Sequence, residues 1–405
     1  MQQALLIPPE PPRRVPSSAP SLEDRLRSLH NYIYANEGIK QYARVMDEVA
    51  KVLYTKLAAD QRGDDRLYDA SEDQLPALMR TIFDSVKQGE HHAFDAGEQL
   101  LLSDDALGFA FRQLGRQPIR VQDPKGAAFQ AILGPTLRSE LGQFFTPDPL
   151  KQLLIALTCP RSGEVVGDPA SGTAGLLLDV VRNVPESVVR AAEVDAVLAR
   201  LARLNLYLAG AHAAEVVRID SLQPLSELSA ATSGRLGRDA FDVIVTNPPF
   251  GSKGKVSDPD ILRDLPVTAS GKRSVAPEIL FVERIVQMLK PGGRAGIVLP
   301  SGLLSNSSAA GLRSYLRAQG RIYATVALPV ETFQPTGNSV NAALMFFERS
   351  PGSAKAPYPV FRAISGSVGY DHRGRPSAQE ADAPAIAQAW SAFAEEYGEV
   401  YRWAR

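Results

Sequence analysis

Val165-Val166-Gly167-Asp168-Pro169-Ala170-Ser171-Gly172-Thr173-Ala174-Gly175-Leu176-Leu177-Leu178 decides the fold. It reads as a buried strand, a turn of small residues and the start of a helix. Small residues let the backbone approach a ligand closely, and the first helical N–H groups point at whatever sits there. Asp168, at the carboxyl end of the strand, can accept hydrogen bonds from an ammonium or a hydroxyl group. The next apolar run, Ala191-Ala192-Glu193-Val194-Asp195, also ends in acids, at the point where nucleotide-binding α/β folds hold ribose hydroxyls. A third strand, Glu215–Asp220, ends in Asp220 and is followed by Ser221. Acid tips on successive parallel strands predict a ligand pocket along the carboxyl edge of the sheet. Taken singly, a small-residue turn is also a tight connection, and an acid at a strand end is also a helix cap.

A second strand end sharpens the reading. Phe241-Asp242-Val243-Ile244-Val245-Thr246 runs into Asn247-Pro248-Pro249-Phe250. That tip offers an amide, a carbonyl outside any regular ladder and an aromatic face, a combination suited to a planar base with an exocyclic amine. The prolines alone would make only a stiff turn after a buried strand. The pocket predicted upstream in the same sheet favours the base-holding reading.

From about Gly142 onward, strands alternate with helices. A helix is predicted over Pro277–Leu289, a fifth strand over Arg294–Leu299 and a further helix over Ala309–Gln319. The strands Ile322–Leu328 and Val340–Glu348 then follow each other with no helix between them. Alternation closed by two such strands predicts an α/β fold, a seven-stranded mainly parallel Rossmann-like sheet with an antiparallel last strand. Ahead of it, Ile39, Tyr42, Met46, Val49, Leu53 and Leu57 recur at steps of three and four, an apolar stripe on a helix of about five turns. Further helical patterns occur near Gln74–Lys87, Asp104–Leu114 and Gly126–Arg138, so an α-helical N-terminal domain is expected. Ser21 is a candidate cap for a helix beginning at Leu22.

In this order the motifs resemble the N6-adenine DNA methyltransferases, most closely the modification subunits of type I restriction systems. Gly142-Gln143-Phe144-Phe145-Thr146-Pro147 is similar to that family's cofactor-capping segment. Phe129 and Leu141 fit its lead-in helix, and Ser305-Asn306-Ser307-Ser308 matches another family stretch. The similarity runs from about Asn31 to Arg373. Many methyltransferases carry Gly where Ala174 stands, but Thr-Ala-Gly also occurs among type I modification subunits.

The resemblance implies S-adenosylmethionine as cofactor and the N6 amine of adenine in DNA as acceptor. It assigns Asn247, Pro248, Pro249 and Phe250 to catalysis. Thr146, Asp168 and the turn Ser171, Gly172, Thr173, Ala174, Gly175 go to the amino-acid end of the cofactor, Glu193 to the ribose, and Asp220 with Ser221 to the adenine. Gln143, Phe144, Phe145, Pro147 and Asp148 close over the cofactor. Four segments follow: a disordered Pro-rich tail (1–20), the helical domain (21–140), the methyltransferase domain (141–350) and an extension docking by a helix (351–405). That extension is too short for a target-recognition domain, so a specificity subunit with two copies of this chain around it is expected, and an endonuclease subunit is a further expected partner. The competing readings are an RNA or protein amide methyltransferase and a non-catalytic scaffold on the same fold. N4 methylation of cytosine remains open on geometry.

Composition bounds these expectations. The 405 residues carry a formal net charge of −1, so nucleic acid must meet a local basic patch or a basic partner. Between Gly251 and Ala276 a long connection holds Lys253, Lys255, Arg263, Lys272 and Arg273, open to reading as a solvated loop or as a phosphate-gripping flap. A single cysteine, Cys159, excludes an internal disulfide and fits a reducing cytoplasm. The adjacent pair His91-His92 lacks the spaced partners of a metal site, and no apolar run reaches the roughly 18 residues of a membrane span.

Overall fold

The computed structural model describes residues 22–89, 94–115, 146–184, 186–211, 213–250, 254–266, 271–336, 340–350 and 357–404. The expected tail 1–20, the Ser21 cap, His91-His92, the helix over 126–138 and the segment 141–145 with Gln143, Phe144 and Phe145 lie outside the described residues, as do Gly251–Lys253.

The N-terminal region is helical: α1 (Leu22–Asn36), α2 (Tyr42–Arg62), α3 (Arg66–Asp69), α4 (Leu75–Gly89) and α5 (Asp104–Leu114). The stripe read from sequence lies on α2 from Tyr42 onward, with Ile39 ahead of the helix, and Met46, Val49 and Leu53 are wholly buried. α2 stops at Gly63, whose φ of 61° closes the last turn in the left-handed conformation that glycine adopts without strain. Ser103 caps α5, its hydroxyl accepting from the Ala106 N–H at 3.2 Å.

Next come α6 (Asp148–Thr158), β1 (Val165–Asp168), α7 (Gly175–Asn183), β2 (Val188–Glu193), α8 (Ala196–Leu208), β3 (Glu215–Arg218), α9 (Leu225–Ala231), β4 (Phe241–Thr246), α10 (Pro259–Asp264) and α11 (Pro277–Met288). They are followed by β5 (Leu289–Pro300), α12 (Gly302–Ser305), α13 (Ala310–Gln319), β6 (Gly320–Ala327), β7 (Ala342–Arg349), β8 (Phe361–Ile364) and α14 (Ala383–Glu396). The strands form one sheet in the order β3-β2-β1-β4-β5-β7-β6-β8. The first five run parallel, and β7 inserts antiparallel between β5 and β6.

The mainly parallel sheet with a reversed seventh strand is therefore present. Two details differ from the sequence reading. β8, from the C-terminal extension, adds an eighth strand parallel to β6. β3 ends at Arg218, so Asp220 sits two residues beyond the ladder rather than in it. The four-residue β8 alternates half-buried and exposed positions and has no continuous apolar run, which is why it escaped sequence reading.

Packing places both layers. Gly167 in β1 is required by its neighbour: a Cβ there would lie 2.3 Å from the Phe241 ring, which fills the space beneath the strand. The core of the N-terminal helices takes in Leu201, Leu204 and Leu208 of α8, so the helical region is seated on a helix of the sheet domain. At the other end α14 buries Trp390 and Ala394 in the core that holds Leu150 and Leu154 of α6. Tyr323, Tyr401 and Trp403 surround the Trp390 ring. Burial of one such aromatic contributes about 2–3 kcal/mol.

Candidate active site

The site is assembled along the carboxyl edge of the sheet, where parallel strands end and their helices begin. Asp168 ends β1 and is 2% exposed. Its Oδ1 accepts hydrogen bonds from the Ala170 N–H at 3.0 Å and from the Thr246 hydroxyl at 2.6 Å. Thr246 is the last residue of β4, so this one bond clasps the acid of the first strand to the residue preceding Asn247. Beyond the clasp Asn247 is half-buried, Pro248 buried and Pro249 exposed. Phe250 is 1% exposed, with its ring edge-on to Phe333 at 5.5 Å between centroids.

Glu193 ends β2. Its Oε2 accepts from the Gly172 N–H at 2.8 Å and its Oε1 from the Asp195 N–H at 2.9 Å, so the second acid braces the turn after the first strand. Asp195 itself caps α8 by accepting from the Leu198 N–H. Asp220 is exposed, its carboxylate accepting from the Leu222 N–H, and the buried Ser221 donates its hydroxyl to the Pro169 carbonyl at 2.7 Å. All three acid tips are thus joined through Pro169–Gly172. Thr146 and Pro147 stand half-buried at the start of α6. Asp148 points outward and pairs with Lys151, which also reaches Asp179 of α7.

The turn turns on two left-handed residues, Gly172 at φ 54° and Ala174 at φ 63°. An L-residue in that region costs about 1–2 kcal/mol. Ala174 is wholly buried, and its methyl offsets part of that cost. Ala174→Gly relieves the strain but adds chain entropy to the unfolded state and removes the methyl. The balance predicts a stability change within about 0.5 kcal/mol by urea unfolding. Ala174→Val, β-branched in a left-handed site, is expected to lose more than about 2 kcal/mol.

Three positioning residues were not read from sequence. Thr246 passed as the last apolar-run residue. Asn205, wholly buried in α8, donates its amide to the Thr173 carbonyl at 2.9 Å and holds the turn from behind. An Asn inside an otherwise apolar helix face was the available signal, since a buried amide needs a partner. Arg284 of α11, also wholly buried, donates to the Leu222 and Gln223 carbonyls and to Asp264, fixing the loop that carries Asp220.

Burial dominates the electrostatics. It pushes the Asp168 carboxyl up to about 7, against the pull of the Thr246 and Ala170 hydrogen bonds and with added repulsion from Glu193. Burial also raises Glu193, opposed by the N–H groups of Asp195 and Gly172. For an acid raised on folding, the stabilising contribution is full below its ordinary value of 3.8 and is lost as pH climbs through about 7. Ligand-free protein is therefore expected to lose about 2 kcal/mol between pH 5 and 8, and Asp168→Asn to flatten that slope, as read by calorimetry across the pH range.

The strand order, the reversed seventh strand and the acid-tipped edge define the methyltransferase fold. The N-6 DNA methylase family matches residues 126–400, and the chain belongs to that family. Its relatives include the methylase subunit of the type I restriction enzyme EcoEI from Escherichia coli, 27% identical over 240 residues, or 54% of this chain and 46% of that one. The StySPI methylase subunit from Salmonella potsdam is 30% identical over 237 residues, 52% of this chain and 41% of that one. The chain thus spans less than half the length of these relatives. Among solved structures, a modification subunit from Vibrio vulnificus YJ016 superposes with a TM-score of 0.67 at 18% identity, covering 93% of this chain and 91% of that one. The type I methyltransferase subunit from Streptococcus thermophilus gives 0.62 at 17% identity, covering 91% and 92%.

Proposed function

We propose that this chain methylates the N6 amine of adenine in DNA from S-adenosylmethionine, as the modification subunit of a type I-like restriction-modification system. The observation that carries the reading is the Thr246–Asp168 hydrogen bond, which joins the residue before the Asn247–Phe250 tip to the acid that ends β1, in a member of this family. Bound there, S-adenosylmethionine supplies an electrophilic methyl group on a sulfonium.

The residues present fit that cofactor. The Ser171 hydroxyl is buried without a hydrogen-bond partner among the described residues, at the head of a turn whose left-handed residues open the backbone. Asp168 and the turn Ser171–Gly175 suit the ammonium and carboxylate of the amino-acid end, Glu193 the ribose hydroxyls, and Asp220 with Ser221 the adenine edge. Thr146 and Pro147, with Gln143, Phe144, Phe145 and Asp148, would close the pocket. A cationic ammonium beside Asp168 favours its ionised form, so affinity should rise with pH up to about 7.

On the acceptor side, an exocyclic amine is a weak nucleophile because its lone pair is delocalised into the ring. The Asn247 Oδ1 and the Pro248 carbonyl would accept hydrogen bonds from its two N–H groups and pull the nitrogen toward tetrahedral geometry. Pro249 stiffens the turn so that both acceptors stay aimed. Orientation and charge placement then carry the rate, with no dedicated general base. In a duplex the base must leave the stack, and Phe250 would stack on it, which requires its ring, buried against Phe333, to turn a face toward the base. Base–aromatic stacking is worth about 1–3 kcal/mol.

The test is tritium transfer from labelled S-adenosylmethionine to duplex DNA, with the chain alone and co-expressed with the product of its neighbouring gene. N6-methyladenine that depends on the neighbour supports a modification subunit working with a specificity partner. Bound cofactor with label only on RNA or protein would replace the reading with an amide or RNA methyltransferase. Failure to bind cofactor at all would leave a scaffold.

A further inference from the structure

We propose that the hairpin Tyr370–Pro376 of the C-terminal extension is a positioning element for Phe250, acting through the turn that carries Phe333. The inference rests on the base-stacking role of Phe250 given above and assigns part of that role to a segment distant from the strand tips in sequence.

The contacts run in an unbroken line. Phe333 is wholly buried, follows the single turn Val330–Thr332 after β6, and packs against the Phe250 ring. Thr332, 2% exposed, donates its hydroxyl to the Pro329 carbonyl at 2.6 Å and closes that turn. The Tyr370 hydroxyl donates to the Thr332 carbonyl at 2.7 Å. The peptide that accepts this bond is the one joining Thr332 to Phe333, so a shift there is passed straight to the Phe333 ring. The tip of the hairpin makes a second contact, where a Cβ on Gly374 would stand 3.2 Å from the Pro335 Cβ.

The hairpin is itself well fastened. Tyr370 and Pro376 form an isolated antiparallel bridge. Asp371 closes the tip, its Oδ1 accepting from the Arg373 and Arg375 N–H groups and its Oδ2 from the Arg375 guanidinium at 2.7 Å. Gly374, at φ 76°, supplies the left-handed residue the turn needs. The Ser377 N–H donates to the Gly369 carbonyl, and Val368 is buried in the same core as Phe250 and Phe333. Asp382, the residue before α14, accepts from the Ser365 hydroxyl and the Gly366 N–H. The segment is thus tied to β8 at one end and to α14 at the other.

A ring in a packed core turns only as far as its neighbours allow. Phe250 must turn a face to the base, and Phe333 is the neighbour that sets its starting orientation. With Phe333 held through the Tyr370 bond, Phe250 keeps one seat and meets the base already ordered. Without that bond more ring orientations open, and they must be given up at each turnover.

The test substitutes Tyr370→Phe, which removes one hydroxyl and keeps the ring. One readout is the fluorine NMR spectrum of the full chain labelled with para-fluorophenylalanine, the two lines of interest being assigned with Phe250→Leu and Phe333→Leu. The other is methyl transfer to DNA by the chain co-expressed with its neighbouring gene product, with kcat and KM determined separately. The expected result is a shifted or broadened Phe250 line and a kcat lower by about fivefold, the worth of one hydrogen bond. KM for DNA and cofactor affinity should stay unchanged, and Tm should fall by no more than about 3 °C. Asp371→Ala, which loosens the hairpin without touching Thr332, should repeat this pattern in smaller measure. A Phe250 line that does not move, or a kcat that does not fall once it has moved, overturns the proposal. A raised KM with weakened cofactor binding and a larger fall in Tm overturns it as well, since that is general loosening. Wild type that transfers no methyl group overturns the reading of the site, and the Phe250 line alone then decides whether the hairpin sets that ring.

Discussion

Arg200→Ala is expected to lower stability by about 3 kcal/mol or more. Arg200 lies on α8, one turn beyond the cap that follows Glu193, and its side chain is 3% exposed. It pairs with Asp47 of α2 and forks onto both oxygens of Glu98 at 2.8 and 2.9 Å. The guanidinium stacks on Phe94, 4.5 Å from the ring centroid, and the Tyr54 hydroxyl donates to the Arg200 carbonyl. Lys51 already serves Glu48, Asp47 and Glu98, so it cannot compensate for a second lost cation. Removing one partner leaves carboxylates desolvated without a counter-charge, which costs more than the pair itself contributes. Urea unfolding with an unchanged m-value would read the loss, and Arg200→Lys should fall between, keeping charge but not the fork. A loss below about 1 kcal/mol would show the network to be solvated rather than buried.

Asn247→Ala is expected to reduce methyl transfer by roughly 10²–10³-fold while leaving cofactor affinity unchanged. Asn247 follows the Thr246 clasp in the chain, so replacing its side chain should leave the Thr246–Asp168 bond and the turn it supports intact. Asn247→Asp keeps an acceptor oxygen in place and should retain more activity than alanine. Single-turnover rates beside calorimetric cofactor titration separate the outcomes. Loss of both activity and cofactor binding would move Asn247 into the cofactor pocket and sink the base-holding role. Retained activity in the alanine variant would reassign the acceptor to Pro248 alone.

Much of the geometry of the candidate site was legible because it is local. The turn Asp168–Gly175 announces itself through small residues between an apolar run and a helix start. The Asn247–Phe250 tip does so through two prolines closing a strand. What escaped was non-local. Thr246 looks like any strand residue until β4 lies beside β1, and Asn205 acts on Thr173 across 32 residues of chain. Glu193 reads as a ligand for ribose from sequence, and in the fold its carboxylate holds the Gly172 N–H.

The amino-acid sequence by itself determined the order of strands and helices, the reversed seventh strand and the small-residue turn, since periodicity and turn chemistry act within a few residues. The tertiary structure alone decided that β8 would extend the sheet and that the helical region would seat on α8 through Arg200. It also decided that one hydroxyl would join the two halves of the site. Those outcomes depend on which surfaces meet after long loops close, and a contact between distant residues leaves no period in the chain.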